Sequence, residues 1–280
     1  MENEIKEILK RHTSHYYISL TPRGNTSILI SFLCAKKIKR GNILTTDQGG
    51  WISYLKYPKK IGLEVKLCKT DNALIGLNDL KEKSKGCSAF IYAQPGGYFV
   101  EQSIKEIYEI CKKNNCLTIM DITGSIGTDL CNGKYADIII CSFGDYKPIN
   151  VGYGGFISTD KKEYFNLISN MPEADEFKKS RLKDLLEKLD NLKQRHETFS
   201  KANKKIKEDL KKFNIIHKGK KGINVLIKFK NEKEKKEILD YCEKNSFKYK
   251  LCRKVLDSTK DLFSFIKVNE DAVSIEVQRL

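Results

Sequence analysis

Residues 141–158 read CSFGDYKPINVGYGGFIS, and they directly follow the apolar run ADIII at residues 136–140. A short apolar run rich in isoleucine predicts a buried β-strand. Lys147 is the only lysine of this stretch, in a chain that is otherwise rich in lysine. A lysine held at the end of a buried strand, with a lowered pKa, can form a Schiff base with a carbonyl group. The alternative is an ordinary surface charge. The backbone around it is freed to turn and to approach a ligand by four glycines, Gly144, Gly152, Gly154 and Gly155.

Short apolar strands and amphipathic helical stretches alternate through the first 160 residues. The helical stretches include TSILISFLCAKKI (26–38) and VEQSIKEIYEICKKN (100–114). Strands alternating with helices in this way predict an α/β fold, a mainly parallel sheet flanked by helices, with ligands bound at the carboxyl ends of the strands. The predicted strands are NILTT (42–46), EVKLC (64–68), SAFIYAQ (88–94), LTIMDIT (117–123), ADIIICSF (136–143) and GGFIST (154–159).

The pattern changes after residue 160. Apolar residues recur at helical spacing from residue 180 to residue 213, which predicts one long amphipathic helix. We therefore expect two domains, a large one at residues 1–160 and a small C-terminal α+β domain at residues 161–280, with the long helix bridging them. The small domain is predicted from GINVLIKFK (222–230), KEILDYCEKN (236–245), FKYKLC (247–252) and AVSIEVQRL (272–280).

Composition argues against several classes of protein. No apolar run approaches the roughly 18 residues of a membrane span, and the acidic, lysine-containing start MENEIKEILK is unlike a signal peptide. We therefore expect a cytoplasmic protein without a membrane partner. The nine cysteines contain no CxxC pair and several lie in apolar runs. They indicate reduced core thiols rather than disulfides or metal ligands, so no metal site is predicted.

The positive charge lies mainly in the C-terminal part. The net charge is +16, and residues 161–280 account for +11 of it, with 31 Lys and Arg against 20 Asp and Glu. Such a surface can steer phosphate-bearing ligands or tRNA toward a site. Alternatively, lysine simply covers the solvated faces. The runs interleave acids, as in KKIKEDLKK (204–212), and lack the aromatic residues of a single-strand binding platform, which favours the second interpretation.

Two further motifs carry candidate chemistry. In TPRGNTSILISF (21–32), a glycine and small polar residues precede an apolar helix. A helix N-terminus of this kind binds phosphate, although the same residues also serve as ordinary helix caps. In LTIMDITGSIG (117–127), a buried strand ends at Asp121. A carboxylate there needs a cation or a donor, such as a protonated ring nitrogen, or else it caps the turn at residues 123–127.

Taken in order, these motifs resemble the fold type I pyridoxal-phosphate-dependent enzymes, and most closely the DegT/StrS-type sugar aminotransferases. The resemblance covers residues 24–160 and is most specific in SFGDYK, GYGGFIST and DITGSIG. It implies pyridoxal 5'-phosphate as cofactor and an aminotransferase acting on an amino acid or amino-sugar type substrate. The expected partners are a small-molecule amino donor and acceptor, and a second subunit in a homodimer.

The resemblance also implies roles for individual residues. Lys147 would hold the cofactor as a Schiff base and then move a proton, while Asp121 would pair with the pyridine nitrogen. Trp51 would stack on the ring, or it is a buried packing residue. Independently of the resemblance, Arg279 follows a strand-like run and could bind a substrate carboxylate, but the ordinary exposure of arginine favours a solvated charge near the C-terminus. The cofactor phosphate would be bound by Ser142 together with Gly24, Asn25 and Thr26.

One motif departs from the family pattern. The family has D-x-A-Q or D-x-A-H where this chain has Asp121-Ile122-Thr123-Gly124. The side chain that touches the ring hydroxyl of the cofactor must therefore be Thr123 or come from elsewhere. The segment QPGGY, at residues 94–98, is a candidate source.

Other functions remain open from the sequence. The same cofactor supports desulfurases, lyases and tRNA-linked sulfur or selenium transfer, and a basic C-terminal part would suit a tRNA partner, for which nothing specific argues. Desulfurases need a mobile cysteine, and none of the nine lies in an obvious glycine-rich loop. A catalytically degenerate relative, or a binding protein in which the glycine-rich segments are only structural, are the remaining alternatives.

Overall fold

A large sheet forms the centre of the molecule. The computed structural model describes residues 1–172, 174, 177–256 and 261–280, with residues 262 and 263 described in the backbone only. Seven of the first nine strands form one sheet in the order β1-β9-β8-β7-β6-β2-β3, and β4 and β5 form a separate hairpin. These strands are β1 (Tyr17–Thr21), β2 (Asn42–Thr46), β3 (Val65–Cys68), β4 (Thr70–Asp71), β5 (Leu74–Ile75), β6 (Cys87–Ala93), β7 (Leu117–Asp121), β8 (Ile138–Ser142) and β9 (Gly155–Thr159).

The large sheet is mainly parallel, as predicted. Strands β3, β2, β6, β7 and β8 pair in parallel, and β9 runs antiparallel to both of its neighbours, β8 and β1. Strand β1 was not predicted from the sequence. Its five residues pair along β9, from Tyr17 opposite Thr159 to Thr21 opposite Gly155. The pairing brings the segment that precedes the glycine at position 24 to the end of the sheet that carries the Lys147 loop.

Helices cover both faces of this sheet. Successive strand residues point to opposite faces, so Phe90 and Tyr92 pack in one apolar cluster with α1, α5 and α7, while Ala89 and Ile91 pack in another with α2, α3 and α6. No helix in the described part of the chain is both long and apolar enough to cross a membrane. The helices are α1 (Glu2–Thr13), α2 (Gly24–Ile38), α3 (Ile52–Lys60), α4 (Leu77–Lys83), α5 (Ile104–Lys113), α6 (Lys162–Ser169), α7 (Leu182–Asp190), α8 (Leu192–Asp209), α9 (Glu232–Lys244) and α10 (Leu262–Ile266).

The C-terminal part has its own antiparallel sheet and core. Four strands pair in the order β10-β11-β13-β12. Helices α8 and α9 cover this sheet with apolar side chains such as Phe199 and Ile238. The strands are β10 (Asn214–Ile215), β11 (Val225–Lys228), β12 (Tyr249–Cys252) and β13 (Ala272–Ile275), and a short 3-10 helix, Val277–Arg279, follows the last of them.

The predicted single helix over residues 180–213 is wrong in one respect, because the structure divides it into α7 and α8 at Asn191. The side-chain amide of Asn191 donates to the carbonyl oxygen of Glu187 at 2.9 Å, which caps the end of α7. Leu185 of α7 packs in the core of the large sheet, whereas Phe199 of α8 packs in the C-terminal core. Apart from Leu192 at the start of α8, which still packs in the core of the large sheet, each helix packs on its own core. We therefore propose a division between the two units near Asn191; the predicted division at residue 160 stays a prediction.

Candidate active site

The candidate site is a cavity at the carboxyl ends of the parallel strands, where ligands bind in sheets of this type. Its volume is about 470 Å³, and its wall includes the ends of β6, β7 and β8, the start of α2 and the loop between β8 and β9. Thr26 and Arg279 do not contribute to the wall. The predicted site residues that do are Gly24, Asn25, Trp51, Asp121, Thr123, Ser142 and Lys147.

Asp121 ends β7 at the floor of the cavity, where three groups donate to its carboxylate. The Tyr54 hydroxyl donates to Oδ2 at 2.6 Å, and Thr123 donates to Oδ1 from its backbone N–H at 2.9 Å and from its hydroxyl at 2.5 Å. These bonds hold both carboxylate oxygens in place. Burial and the negative charge of Asp121 raise the pKa of Tyr54, which keeps its hydroxyl a donor. Asp121 thus makes the predicted local turn bond and also presents a fixed negative charge to the cavity.

Lys147 lies in the loop after β8, and its amine is enclosed by aromatic side chains. Its Nζ donates to the hydroxyl of Tyr98 at 2.9 Å and lies 5.2 Å from the centroid of the Trp51 ring. Burial lowers the pKa of Lys147, although the negative charges of Asp121 and Glu276 act in the opposite direction. A lysine in this environment is neutral more often than a solvated lysine at the same pH, which is the form that reacts with carbonyl groups.

The start of α2 meets the end of β8 at very short range. A Cβ atom at Gly24 would lie 2.4 Å from Cβ of Ser142, so only glycine permits this approach. Residue Arg23 precedes the helix in an extended conformation, and no side chain caps the helix N-terminus among the described residues. The helix dipole and its first N–H groups favour an anion here. The hydroxyl of Ser142, which accepts from the N–H of Gly144 at 3.2 Å, lies at the same place.

Asn25 connects this helix start to the aromatic wall. Its Oδ1 accepts from Nε1 of Trp51 at 2.9 Å and from the hydroxyl of Ser53 at 3.0 Å. A buried indole N–H usually requires such a partner. The side chain of Asn25 therefore orients Trp51, whose ring forms part of the cavity wall.

Arg279 lies beside the cavity rather than on its wall. Its guanidinium stacks over the ring of Tyr146, at 4.4 Å from the centroid, and its Nε lies 4.0 Å from Oε2 of Glu276. It is close enough to Lys147 for its positive charge to lower the pKa of that lysine. Arg279 is therefore not a fully solvated charge, and it does not face the cavity either.

Sequence reasoning missed Tyr54 and Glu276, and it reached Tyr98 only as part of the QPGGY segment. Tyr54 and Glu276 carry no local motif, because Tyr54 lies within α3 and Glu276 directly after β13. Their roles depend on contacts with Asp121 and with the surroundings of Lys147, which are distant in the chain.

The residues of the cavity fit pyridoxal phosphate. The fixed carboxylate of Asp121 suits the ring nitrogen of that molecule, and the amine of lowered pKa at Lys147 suits its carbonyl carbon. The uncapped helix N-terminus beside Ser142 suits its phosphate. The close approach of Gly24 to Ser142, which any side chain at position 24 would prevent, brings the helix N-terminus and the serine hydroxyl together. Among the described residues, no group of three or more His, Cys, Asp or Glu could hold a metal ion.

Three solved structures of known proteins are similar in fold to this chain. A DegT/DnrJ/EryC1/StrS aminotransferase from Brucella abortus has a TM-score of 0.76 at 15% identity, over 98% of this chain and 84% of its own. The ntda protein of Bacillus subtilis, with bound cofactor PMP, has a TM-score of 0.74 at 16% identity, over 99% of this chain and 73% of its own. A cysteine desulfurase from Thermococcus onnurineus NA1 has a TM-score of 0.69 at 15% identity, over 97% and 77%.

At these identities, the structural likeness shows the fold. No curated protein matches the chain in sequence. The profile of one sequence family does match, over residues 25–173, which is more than half of the chain and includes β2 to β9 with most of the cavity wall. The chain therefore belongs to the DegT/DnrJ/EryC1/StrS aminotransferase family, whose members are pyridoxal-phosphate-dependent transferases.

Proposed function

We propose that this aminotransferase carries its cofactor on Lys147 as a Schiff base and uses the same lysine to move protons during amine transfer. The observation that carries the proposal is that Lys147, Asp121 and the N-terminus of α2 face one cavity. When bound, pyridoxal phosphate supplies an electron sink that stabilises negative charge on the carbon beside the substrate amine. The remaining work falls to side chains of this chain.

Lys147 has the properties that a Schiff-base lysine requires. Its enclosed amine has a lowered pKa because of burial, so that a larger share of molecules carries a neutral, nucleophilic Nζ near neutral pH. The same nitrogen can accept and return a proton once it is released from the cofactor. Its position is restrained by the hydroxyl of Tyr98.

Asp121 would keep the ring nitrogen of the cofactor protonated. Support comes from its three hydrogen-bond donors, which fix the position of the carboxylate. Both donors of Thr123 are therefore bonded to Asp121. The hydroxyl oxygen of Thr123 also accepts from the N–H of Ser142 at 3.0 Å. This bond links the end of β7 to the end of β8.

Ser142, Gly24 and Asn25 would bind the phosphate. Thr26 is the weakest member of the predicted set, because its N–H already donates to the carbonyl of Arg23 at 3.0 Å. Trp51 is the aromatic residue that we assign to the face of the cofactor ring. Its orientation by Asn25 supports that assignment over a purely structural role.

The substrate would be a small molecule that carries an amine, and the amino donor would carry a carboxylate. Arg279 supports this, since its guanidinium lies next to the Lys147 loop, on Tyr146. Its Nε is buried without a hydrogen-bond partner among the described residues. A planar guanidinium binds a carboxylate through two parallel bonds.

Desulfuration is less well supported than amine transfer. Cys141 is the cysteine on the cavity wall, but it is buried within β8, and burial raises the pKa of its thiol well above the ordinary value. Cys141 is therefore not the mobile, nucleophilic thiolate that a desulfurase needs. A tRNA partner gains no support either, because acidic neighbours pair with several C-terminal lysines, as in Lys212–Glu237 and Lys235–Glu232.

We also propose a cytoplasmic homodimer. The nine cysteines are all free, which suits a reducing compartment. The dimer follows from the family resemblance, and the half-exposed ring of Tyr146 beside Lys147 is a candidate for coverage by a second subunit. Light scattering coupled to gel filtration measures the mass in solution; a monomer at micromolar concentration would contradict the dimer.

The absorption spectrum tests the proposal as a whole. Addition of pyridoxal phosphate to the purified protein should produce a near-visible band that is absent from Lys147→Ala. Amino acids that serve as donors should then bleach this band, and a keto acid should restore it. A protein that stays colourless with the cofactor present would overturn the proposal.

A further inference from the structure

The side chain of Tyr98 lies between two lysines. Its hydroxyl accepts from Nζ of Lys147 at 2.9 Å, and Nζ of Lys267 lies 5.2 Å from the centroid of its ring. Tyr98 forms part of the cavity wall, whereas the side chain of Lys267 is 3% exposed and does not reach the cavity. Tyr98 is thus the link between the reactive amine and a second, deeply buried ammonium group.

The backbone of Tyr98 is held in an unusual conformation. Its φ angle is +70°, a region that bulky residues rarely occupy and that persists only where the surroundings enforce it. The carbonyl oxygen of Tyr98 accepts from the N–H groups of Ile223 and Asn224, at 2.7 and 2.9 Å. These two residues immediately precede β11, so the C-terminal part of the chain fixes the position of this tyrosine.

The ring of Tyr98 also occupies the space that a side chain at position 124 would need. A Cβ atom on Gly124 would lie 2.3 Å from Cδ1 of Tyr98. Position 124 is where the family motif described above has glutamine or histidine, and this chain has glycine. The two features fit together, because glycine at 124 makes room for an aromatic ring that comes from a different loop.

A buried ion pair supports the loop that precedes Tyr98. Nζ of Lys267 donates to the carbonyl oxygen of Gly97 at 2.9 Å and lies 3.2 Å from Oε1 of Glu276. Glu276 also accepts from the hydroxyl of Ser274 at 2.7 Å and from the amide of Gln278 at 2.8 Å. A buried pair that is satisfied in this way holds a fixed geometry, whereas removal of one partner leaves an uncompensated charge.

We propose that Tyr98 is the positioning residue of Lys147: its hydroxyl holds Nζ in the cavity, and the Lys267–Glu276 pair holds the loop of Tyr98 in place. This inference rests on the proposed function of Lys147. A neutral phenol can accept a bond from an ammonium group and can donate one to a neutral amine. Tyr98 can therefore hold Nζ in both protonation states that proton transfer requires. Burial, followed by the charge of Asp121, raises the pKa of Tyr98, so its hydroxyl stays protonated.

Removal of the Tyr98 hydroxyl should change the pKa of Lys147 in a predictable direction. The charged and titratable groups that face Lys147 are Asp121, Glu276 and Cys141, which raise its pKa, and Arg279, which lowers it; Lys267 adds a further positive charge behind Tyr98. Tyr98→Phe leaves all of these in place and removes one acceptor of the ammonium group. Because the bond lost by the ammonium form is stronger than the bond lost by the neutral amine, the pKa of Lys147 falls.

The test uses protein without cofactor, so its readout does not depend on activity. Acetic anhydride acylates only neutral amines, and mass spectrometry of the peptide that contains Lys147 gives its reactivity at each pH. Tyr98→Phe should move the midpoint to lower pH by about one unit, the difference between a hydrogen bond to a charged group and one to a neutral group. The matched control is Tyr92→Phe, since the Tyr92 hydroxyl is buried without a partner among the described residues, and its midpoint should not move.

A second variant tests the same inference in case the Tyr98→Phe protein does not fold. Gly124→Ala keeps the hydroxyl in the protein but displaces the ring, so it should shift the midpoint in the same direction. An unchanged midpoint in the folded Tyr98→Phe protein would overturn the inference. In active enzyme, the Tyr98→Phe variant should lower kcat with little change in KM, and the pH optimum should move with the midpoint.

The outcome also separates this inference from the proposed function. Trapping of the cofactor on wild-type Lys147 by borohydride tests the proposed function alone. A midpoint shift in a protein that binds no cofactor would support the positioning role and overturn the proposed function. Cofactor trapped on Lys147 together with an unshifted midpoint would overturn only the positioning role.

Discussion

The hydroxyl oxygen of Tyr54 lies 2.6 Å from Oδ2 of Asp121, and Tyr54 is completely buried. The contact joins α3 to the end of β7, across 67 positions of the chain. It fixes one oxygen of the carboxylate, while Thr123 fixes the other. The charge on the floor of the cavity is therefore held by two elements that come from different parts of the sequence.

Removal of the Tyr54 hydroxyl should cost stability. We expect Tyr54→Phe to lower the free energy of unfolding by about 1.5–3 kcal/mol, the range for a hydrogen bond to a charged group. Urea denaturation measures this change. Tyr92→Phe removes a hydroxyl that is equally buried but has no partner among the described residues. This variant should lose little stability. Equal losses in the two variants would mean that the contact with Asp121 contributes no stability.

A methyl group at position 24 should close the anion site. Because Cβ of Gly24→Ala would lie 2.4 Å from Cβ of Ser142, we expect a loss of about 1–3 kcal/mol from overpacking and weaker binding of inorganic phosphate in calorimetry. Gly219→Ala is the matched control, since no atom lies within 4 Å of its new Cβ. Wild-type phosphate affinity in Gly24→Ala would argue against an anion site at the start of α2.

The charge of Asp121 should affect the acid–base behaviour of Lys147. Asp121 acts to raise the pKa of Lys147, so the neutral variant Asp121→Asn should lower it. Lys147 would then react with acetic anhydride at lower pH than in the wild-type protein. Asp240→Asn, at an exposed position in α9, controls for the loss of a charge. A midpoint that rises or stays in Asp121→Asn would show that the two groups are not coupled as the geometry indicates.

Burial of Lys147 should cost stability in a pH-dependent way. Burial lowers the pKa of Lys147 in the folded protein below its ordinary value of 10.5. Between the folded and the unfolded pKa, the unfolded chain binds more protons, so the stability contributed by this group rises with pH across that window. We expect Lys147→Met to melt at a higher temperature than wild type at pH 7, with a difference that shrinks toward pH 10.

Differential scanning calorimetry without cofactor measures both melting temperatures across this range. Lys204→Met, on an exposed side chain of α8, should show no comparable gain. A melting temperature of Lys147→Met below that of wild type at pH 7 would contradict the cost of burial.

Arg279 should affect substrate binding more than the rate of chemistry. We expect Arg279→Lys to raise KM for donors that carry a carboxylate about tenfold or more, since it loses a bidentate charged contact, while kcat changes less. Steady-state kinetics with an amine that lacks the carboxylate supplies the control, because its KM should stay near the wild-type value. The same rise in KM for both donors would remove Arg279 from the carboxylate site.

Local patterns in the sequence were sufficient for six of the seven strands of the large sheet and for the sequence motifs of the site. Runs such as SAFIYAQ and ADIIICSF are apolar enough to predict central strands, and they form β6 and β8. Glycines around Lys147 and the aspartate that ends β7 lie within single motifs. Strand β1 was missed because its short run follows a helix closely and pairs only with β9, far along the chain.

Contacts between distant segments could not be predicted in the same way. The approach of Gly24 to Ser142, and of Tyr98 to Gly124, depends on the order of strands in the sheet and on loop geometry. Helical spacing predicts which residues of α3 are buried, but not that Tyr54 meets Asp121. The break at Asn191 likewise arises because the two halves of the predicted helix pack on different cores.

Reduction by borohydride followed by peptide mass spectrometry tests the central claim most directly. The protein is loaded with pyridoxal phosphate, reduced and digested. The account predicts the added mass of a phosphopyridoxyl group on the peptide that contains Lys147, and no such mass in Lys147→Ala treated in parallel. Attachment to a different lysine, or an unmodified Lys147 peptide in protein that retains the cofactor, would contradict it.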